Sequence, residues 1–183
     1  MADSKGRIII VSDSLFKDID IPGLAQICAI PGAKVYTLFH EASKCVNWLR
    51  YEYTIVHCGT NDVGNGLGAD VVRGLQFLSR NICDINPNMK FIVTSLLPRP
   101  KDFDCTNPVI RNINTSMHAW AQSVSNVHYA NICSSFFIRG SIRRDQILFD
   151  SDGFHLSDLG VQRVVRILKM IIHLLHKGRL TIQ

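Results

Sequence analysis

The sequence contains no uninterrupted apolar run long enough to cross a membrane. Its longest apolar stretch, near residues 164–175, is broken by Arg166, Lys169 and His173, so it predicts an amphipathic helix and not a membrane span. The opening residues, MADSKGR, lack the apolar core of a secretory signal, and we expect none. Repeats and Gly/Ser linkers are also missing, so we expect one domain over residues 1–183. Because its first strand begins so early, we expect this domain to be excised from a longer protein.

Cysteine occurs without the spacing of a metal site or a disulfide module. No two cysteines form a Cys-x-x-Cys pair, and the chain is longer than typical disulfide scaffolds. The six cysteines stand at positions 28, 45, 58, 83, 105 and 133. This pattern predicts buried or free thiols in a reducing compartment, so we expect a cytoplasmic protein with no metal site and no other cofactor.

Charged residues are sparse, at 19% of the chain, and 46% of residues are hydrophobic, which allows a sizeable buried core. Lysine and arginine outnumber the acidic residues by 20 to 15, which gives a net charge of +5. This excess permits an anionic partner, such as RNA, a lipid headgroup or an acidic protein, without requiring one.

Short apolar runs alternate with longer segments of helical period. The runs RIIIV, YTIVHC and FIVTSL are nearly continuous, which is typical of strands buried on both faces of a parallel sheet. Strands are predicted over residues 7–11, 34–39, 53–58, 90–96 and 127–132, and helices over residues 40–50, 69–85, 108–124 and 156–177. Because parallel strands need crossover connections, the alternation predicts an α/β fold with helices on both faces of the sheet.

Polar segments follow the predicted strands or precede the last helix. They are Ser12 to Ser14 after the first strand, GTND (59–62) after the third, and DSDGFHLS (150–157) before the last helix. Ligands of parallel α/β sheets bind beyond the carboxyl ends of the strands. The topology therefore allows a hydroxyl, a carboxamide, a carboxylate and an imidazole to meet at one edge.

Asp152 and His155 are three positions apart, so a turn can place the carboxylate against the imidazole. Such a pair orients a general base, which a serine hydroxyl needs before it reacts. The alternative is structural, with Asp152 and Gly153 forming a turn and His155 starting a helix.

Asn61 and Gly32 each allow two interpretations. The Asn61 carboxamide can donate to an oxyanion, or it can simply serve the turn after its strand. Gly32, placed before the predicted second strand, can offer its backbone N–H to the same oxyanion or only form a turn.

The chain order of Ser14, Gly32, Asn61 and the Asp152/His155 pair resembles the SGNH/GDSL hydrolases. GTND and DGFHLSDLG are the most specific matches, and the resemblance spans nearly the whole chain. It implies a three-layer α/β/α sandwich of flavodoxin-like type, with a five-stranded parallel sheet and no cofactor. It also implies that Ser14 is the nucleophile, His155 the base and Asp152 its orienting group. Gly32, Asn61 and the Ser14 N–H would form the oxyanion hole.

The segments VHCGTND, SLLPRPKD and DGFHLSDLG are most similar to esterase domains in first-open-reading-frame proteins of LINE-type (non-LTR) retrotransposons. Those domains are in turn similar to platelet-activating-factor acetylhydrolases. The resemblance implies a small acyl ester or lipid substrate. It also implies a longer parent protein that oligomerises outside this chain and associates with RNA in a ribonucleoprotein particle. Ser12 stands where the family usually has glycine, but serine is also small and the reacting positions are present.

Two segments carry basic residues outside these motifs. In the predicted last helix they share one stripe, at Arg163, Arg166, Lys169, His173 and Lys177. The stripe is typical of a solvated helix face and also suits contact with an anionic membrane or RNA. The segment 134–149 contains Arg139, Arg143 and Arg144 among aromatic residues. It is interpreted as a connecting loop or as a lid that contacts substrate or membrane.

These features support three functional hypotheses. The first is a serine esterase that removes short acyl groups, acetyl-type or lipid, through an acyl-enzyme. The second is an RNA- or anionic-membrane-binding module on the same scaffold with little or no turnover, which steep salt dependence of binding would reveal. The third is a scaffold used only for protein contacts.

Overall fold

Five parallel strands form the central sheet of the protein. The computed structural model describes residues 7–63, 68–138, 141–142 and 148–178. The strands are β1 (Ile8–Ser12), β2 (Gln26–Ala29), β3 (Tyr53–His57), β4 (Lys90–Thr94) and β5 (Val127–Ala130). They lie in the order β2-β1-β3-β4-β5, and each neighbouring pair runs parallel, as the nearly continuous apolar runs predict.

Helices cover both faces of this sheet. They are α1 (Val35–Ser43), α2 (Thr60–Val63), α3 (Gly68–Ile85), α4 (Phe103–Ser123) and α5 (Asp158–His176), and a small hairpin pairs β6 (Phe137–Ile138) with β7 (Ser141–Ile142). Buried residues of α1, α3 and α4 pack with Ile9 and Val11, whereas those of α5 pack with Ile8 and Ile10 on the other face. The predicted three-layer α/β/α fold with a five-stranded parallel sheet is therefore confirmed.

The strand predicted over residues 34–39 is wrong, because this segment opens helix α1. Val35, Leu38 and Ala42 are buried at helical spacing, so the apolar residues form one face of a helix. The second strand is instead the short edge strand β2, whose partly exposed residues give little apolar signal. The helix predicted over residues 40–50 is also misplaced, since its last residues form a separate 3₁₀ turn, Trp48–Arg50.

The last helix, α5, fixes the loop that carries His155. Apolar side chains such as Val164 and Leu168 are buried against the sheet, while Lys169 and other polar residues face solvent. The Ser157 hydroxyl accepts the N–H of Gly160 at 3.2 Å and caps the helix two positions after His155. Within the described ranges, no helix is both long enough and apolar enough to cross a membrane.

Candidate active site

Ser14 lies at the start of a 3₁₀ turn, Ser14–Phe16, directly beyond the carboxyl end of β1. The Oδ1 atom of Asp13 accepts the N–H of Leu15 at 3.0 Å and thereby caps this turn. Ser14 is half-buried. Ser12 is fully buried, and its hydroxyl donates to the Asp13 carbonyl at 2.9 Å. Of the two serines, Ser14 is therefore the one with surface open to a ligand.

Gly32 and Asn61 lie together at the turn that follows β2. Gly32 is exposed and has a φ of +74°, a left-handed conformation that glycine adopts without strain. The Asn61 side chain, in α2, donates through Nδ2 to the Ala33 carbonyl at 3.0 Å. Because Ala33 directly follows Gly32, this bond holds the carboxamide beside the glycine backbone.

The placement of Gly32 before the second strand is wrong. The true β2 ends at Ala29, so Gly32 follows its carboxyl end and lies at the same edge as Ser14. The Ile30 N–H donates to the Ser12 carbonyl at 2.8 Å and ties the two strand ends together. A glycine that preceded a parallel strand would have faced the opposite edge of the sheet, away from the ligand side.

Asp152 and His155 form a hydrogen-bonded pair in the loop before α5. The Asp152 Oδ2 atom lies 2.6 Å from His155 Nδ1, and Oδ1 accepts the N–H groups of Phe154 at 2.8 Å and His155 at 2.9 Å. The bond with His155, supported by the two backbone donors, lowers the pKa of Asp152 to about 2. The ionised carboxylate therefore holds the Nδ1 side of the imidazole and leaves Nε2 for other groups.

Three segments of the site meet at one edge of the sheet. The Asp13 N–H, at the end of β1, donates to the His57 carbonyl at 3.2 Å, just before the GTND motif. Arg99 links that motif to the loop before α5, because it bonds the Thr60 carbonyl at 3.1 Å and lies 5.1 Å from the centre of the Phe154 ring. Among the described residues, no hydrogen bond joins Ser14 Oγ to His155, whose Nδ1 bonds Asp152.

Asp13 is a buried carboxyl whose burial the sequence pattern did not reveal. The residue is 1% exposed, and within the described part of the chain its Oδ2 atom has no hydrogen-bond partner. Burial, opposed by the Leu15 N–H and assisted by the charge on Asp62, raises the pKa of Asp13 to about 7. Asp13 therefore titrates near neutral pH in the folded protein.

We expect Asp13→Asn to remove a pH dependence of stability. An unfolded aspartate ionises near pH 3.8 and the folded Asp13 near pH 7, so the folded state binds this proton more tightly. The proton bound to Asp13 makes its full contribution to the free energy of unfolding below pH 3.8. That contribution is lost as the pH rises towards 7. Relative to Asp13→Asn, the free energy of unfolding of the wild type should fall by about 2–4 kcal/mol across that window. Urea unfolding at a series of pH values measures this, and a constant difference would contradict the raised pKa.

Arg99 connects two parts of the site, and the sequence analysis assigned it no role although it lies in the SLLPRPKD segment. Its Nη1 atom donates to the Thr60 carbonyl at 3.1 Å, and its guanidinium carbon lies 5.1 Å from the centre of the Phe154 ring. Phe154 contacts the His155 ring edge-on, with 5.0 Å between the ring centres. Its place in that segment and its position after β4, at the carboxyl edge of the sheet, are the signals that point to this arginine.

Arg139, Arg143 and Arg144, which the sequence suggests as substrate or membrane contacts, lie outside the described residues. In the part of the chain that the structure describes, no three His, Cys, Asp or Glu side chains cluster as metal ligands would.

Several solved structures are similar to this chain. A Streptococcus pneumoniae protein described as a platelet activating factor is 18% identical, covers 94% of this chain and 86% of its own, and has a TM-score of 0.78. A carbohydrate esterase family 3 protein from Talaromyces cellulolyticus is 15% identical, with 94% of this chain and 99% of its own covered, and a TM-score of 0.69. The esterase domain of the zebrafish ZfL2-1 retrotransposon ORF1 protein is 19% identical over 91% of this chain and 98% of its own, with a TM-score of 0.49.

One protein-family model matches most of the chain. The model of the GDSL-like lipase/acylhydrolase family matches residues 20–163, which include Gly32, Asn61, Asp152 and His155 and begin after Ser14. None of the curated proteins compared with the chain matches it. Because the family model covers well over half of the sequence, the chain belongs to the GDSL-like lipase/acylhydrolase family of ester-hydrolysing serine hydrolases.

Proposed function

We propose that the protein hydrolyses short-chain acyl esters through an acyl-enzyme, with Ser14 as the nucleophile. The observation that carries the proposal is the 2.6 Å hydrogen bond between Asp152 and His155, at the edge where Ser14 begins its turn. Ionised Asp152 favours the imidazole tautomer with its proton on Nδ1, so Nε2 can accept the Ser14 proton. A serine hydroxyl becomes an effective nucleophile only when such a base removes its proton.

The reaction begins when Ser14 Oγ attacks the ester carbonyl carbon and passes its proton to His155 Nε2. The resulting oxyanion is stabilised by the N–H groups of Ser14 and Gly32 and by the Asn61 carboxamide. One Nδ2 hydrogen of Asn61 is donated to Ala33, and the second remains for the oxyanion. His155 then protonates the departing alcohol. A water that His155 deprotonates then attacks the acyl-enzyme, the bond from the acyl carbon to Ser14 Oγ breaks, and His155 returns the proton to Ser14 as the acid leaves.

We propose acetyl-type esters, including lipid esters, as the substrate class. The family comprises lipases and acylhydrolases, and one protein of similar structure is a carbohydrate esterase. Rates of hydrolysis of p-nitrophenyl acetate, butyrate and octanoate measure the acyl length that the site accepts. A higher kcat/KM for the octanoate than for the acetate would show that the preferred substrates are longer acyl esters and not acetyl-type esters.

Covalent labelling tests the nucleophile directly. A fluorophosphonate reacts with an activated serine, so the wild type should be labelled on the peptide that contains Ser14. His155→Ala should lose the label while keeping its circular dichroism spectrum, because Ser14 then lacks its base. A label on a different serine, or none in a folded wild type, would show that the assignment is wrong.

Asn61→Ala should lower kcat about 10²–10³-fold, because it removes one oxyanion donor. KM for p-nitrophenyl acetate should change little, since the donor acts on charge that develops in the transition state. Asn112→Ala, which truncates an exposed asparagine on α4, is the matched control and should leave kcat unchanged. If Asn61→Ala retains the wild-type kcat, Asn61 serves only the turn at Ala33.

A second candidate function is binding of RNA or an anionic membrane through α5. Three basic residues are exposed along this helix, namely Arg166, Lys169 and His173, and the exposed Lys177 caps its end. Arg163 differs from the other predicted members of the stripe, because it is half-buried and donates to the Ser135 carbonyl at 3.2 Å. Binding driven by phosphate weakens log-linearly as salt rises. Titrations with RNA and with anionic vesicles at low and high salt test this function, and a lack of binding at low salt excludes it.

A further inference from the structure

Two thiols lie in contact at the two ends of the segment that contains Gly32 and α1. Cys28 lies in β2 and Cys45 follows α1, and their Sγ atoms are 3.4 Å apart. A disulfide requires about 2.05 Å between its sulfurs, so a small movement of the two side chains can close the bond. The cysteines are 17 positions apart, and the segment between them contains Gly32 and all of α1.

We propose that Cys28 and Cys45 are a redox-responsive pair, which a small-molecule disulfide such as oxidised glutathione converts into a disulfide bond. The thiolate of exposed Cys45 attacks one sulfur of the oxidant, breaks its S–S bond and releases one glutathione thiolate. Cys28 then loses its proton to solvent, and its thiolate attacks Cys45 Sγ and releases the second glutathione. Two protein thiols are oxidised, and one glutathione disulfide is reduced to two thiols.

The environment of Cys28 and Cys45 keeps both thiols reduced until such an oxidant is present. Burial, together with the contact to Cys45, raises the pKa of Cys28 to about 12, so Cys28 is a neutral thiol at neutral pH. The Cys45 thiol donates to the Ala42 carbonyl at 3.4 Å, near the end of α1. Oxidation closes a covalent ring around the segment that contains Gly32 and α1, which restricts the unfolded chain and thereby stabilises the fold.

Peptide mapping without reduction tests this pair. After incubation with oxidised glutathione, we expect a cross-linked peptide that joins Cys28 to Cys45 and a rise in Tm of about 5–10 °C. Dithiothreitol should reverse both changes. Cys45→Ser should form no cross-link, whereas Cys105→Ser, which removes another exposed cysteine, should behave like the wild type. The proposal is wrong if Cys45 retains one glutathione while Cys28 stays free, or if neither cysteine reacts.

A separate set of contacts makes Arg99 a bridge within the candidate active site. Its Nη1 atom bonds the carbonyl of Thr60, the residue before Asn61. Its guanidinium covers the ring of Phe154, the residue before His155. Arg99 therefore holds the chain neighbour of an oxyanion donor and the chain neighbour of the base.

Resting on the proposed function, we infer that Arg99 is a positioning residue that sets His155 relative to the oxyanion donors. The Arg99 side chain is 13% exposed, and Asp102 aligns its guanidinium through a bond of 2.8 Å, so water screens these contacts little. Phe154 meets His155 edge-on, so movement of the Phe154 ring releases the imidazole from its position. A displacement of about 1 Å in a reacting group can lower turnover roughly 10²-fold.

Arg99→Met removes the charge and keeps most of the side-chain length. We expect kcat for p-nitrophenyl acetate to fall about 10–100-fold with KM within about twofold, and the NMR signals of the His155 ring protons to shift. Arg99→Lys should recover part of kcat, because it restores a cation over Phe154. Arg73→Met is the matched control, since Arg73 pairs with Asp70 at the same three-residue spacing on the exposed side of α3.

The kcat values and the NMR signals of the His155 ring together distinguish failure of this inference from failure of the proposed function. Unchanged kcat and unchanged His155 signals in a folded Arg99→Met protein would overturn the positioning role and leave the esterase proposal intact. If the wild type shows no turnover that depends on Ser14, the proposed function fails. The His155 signals then decide by themselves whether Arg99 positions that ring.

Discussion

Replacing Ser14 by alanine is expected to lower kcat for p-nitrophenyl acetate by about 10⁴–10⁶-fold. The substitution removes the attacking oxygen, and the neighbouring hydroxyl of Ser12 is buried and engaged with the Asp13 carbonyl, so it cannot take over. Substrate binding and the oxyanion donors survive, so a small rate above that of water should remain. Release of p-nitrophenol by the purified variant measures the loss.

Ser12→Ala is the matched control, because it removes a hydroxyl two positions from the proposed nucleophile. Its kcat should stay close to that of the wild type, although loss of the bond to Asp13 should cost about 1 kcal/mol of stability. Circular dichroism and thermal unfolding establish that both variants are folded. Equal turnover by Ser14→Ala and the wild type would assign the chemistry to another residue, and loss in Ser12→Ala alone would assign it to Ser12.

The second large effect is expected from Asp152→Asn, which should lower kcat about 10³–10⁴-fold. Asparagine keeps the shape of the side chain, but its amide favours the imidazole tautomer with the proton on Nε2. In that tautomer His155 cannot accept the Ser14 proton. The Oδ1 atom can still accept the N–H groups of Phe154 and His155, so we expect the loop to keep its conformation. Steady-state kinetics and thermal unfolding of the variant separate the loss of turnover from any loss of fold.

Asp158→Asn separates orientation of the imidazole from a general loss of negative charge. Asp158 is exposed in the first turn of α5, close in sequence to His155, and its substitution removes the same charge. We expect it to leave kcat unchanged. Because the pKa of Asp152 is about 2, its own titration should not contribute to any loss of wild-type activity between about pH 4 and about pH 8. Equal losses in both variants would mean that Asp152 acts only through its charge.

The sheet could be predicted from particular strands and not from others. β1, β3 and β4 are covered on both faces, so apolar residues occupy successive positions and identify a parallel sheet. β2 lies at the edge of the sheet, and its partly exposed residues do not produce that pattern. The prediction therefore placed the second strand on the apolar residues that begin α1, and put Gly32 on the wrong side of that strand.

The Asp152–His155 contact could be anticipated, because both residues lie within one short turn and the spacing alone allows the bond. The bond from Asn61 to Ala33 spans 28 positions, so its existence depends on how β2, α1 and α2 meet. Sequence spacing contains no information on that distance. For the same reason the sequence showed which residue types could act at the site, but not that Gly32 and Asn61 lie side by side.

The sequence by itself determined the α/β class, the parallel sheet and the local pairing of Asp152 with His155. These features depend on burial of successive residues and on contacts within a few positions. Only the tertiary structure decided that Asp13 is buried with a raised pKa, that Cys28 touches Cys45, and that Arg99 joins two loops. The physical reason is that exclusion of water and contact between distant segments arise from packing of the whole chain, which no local pattern specifies.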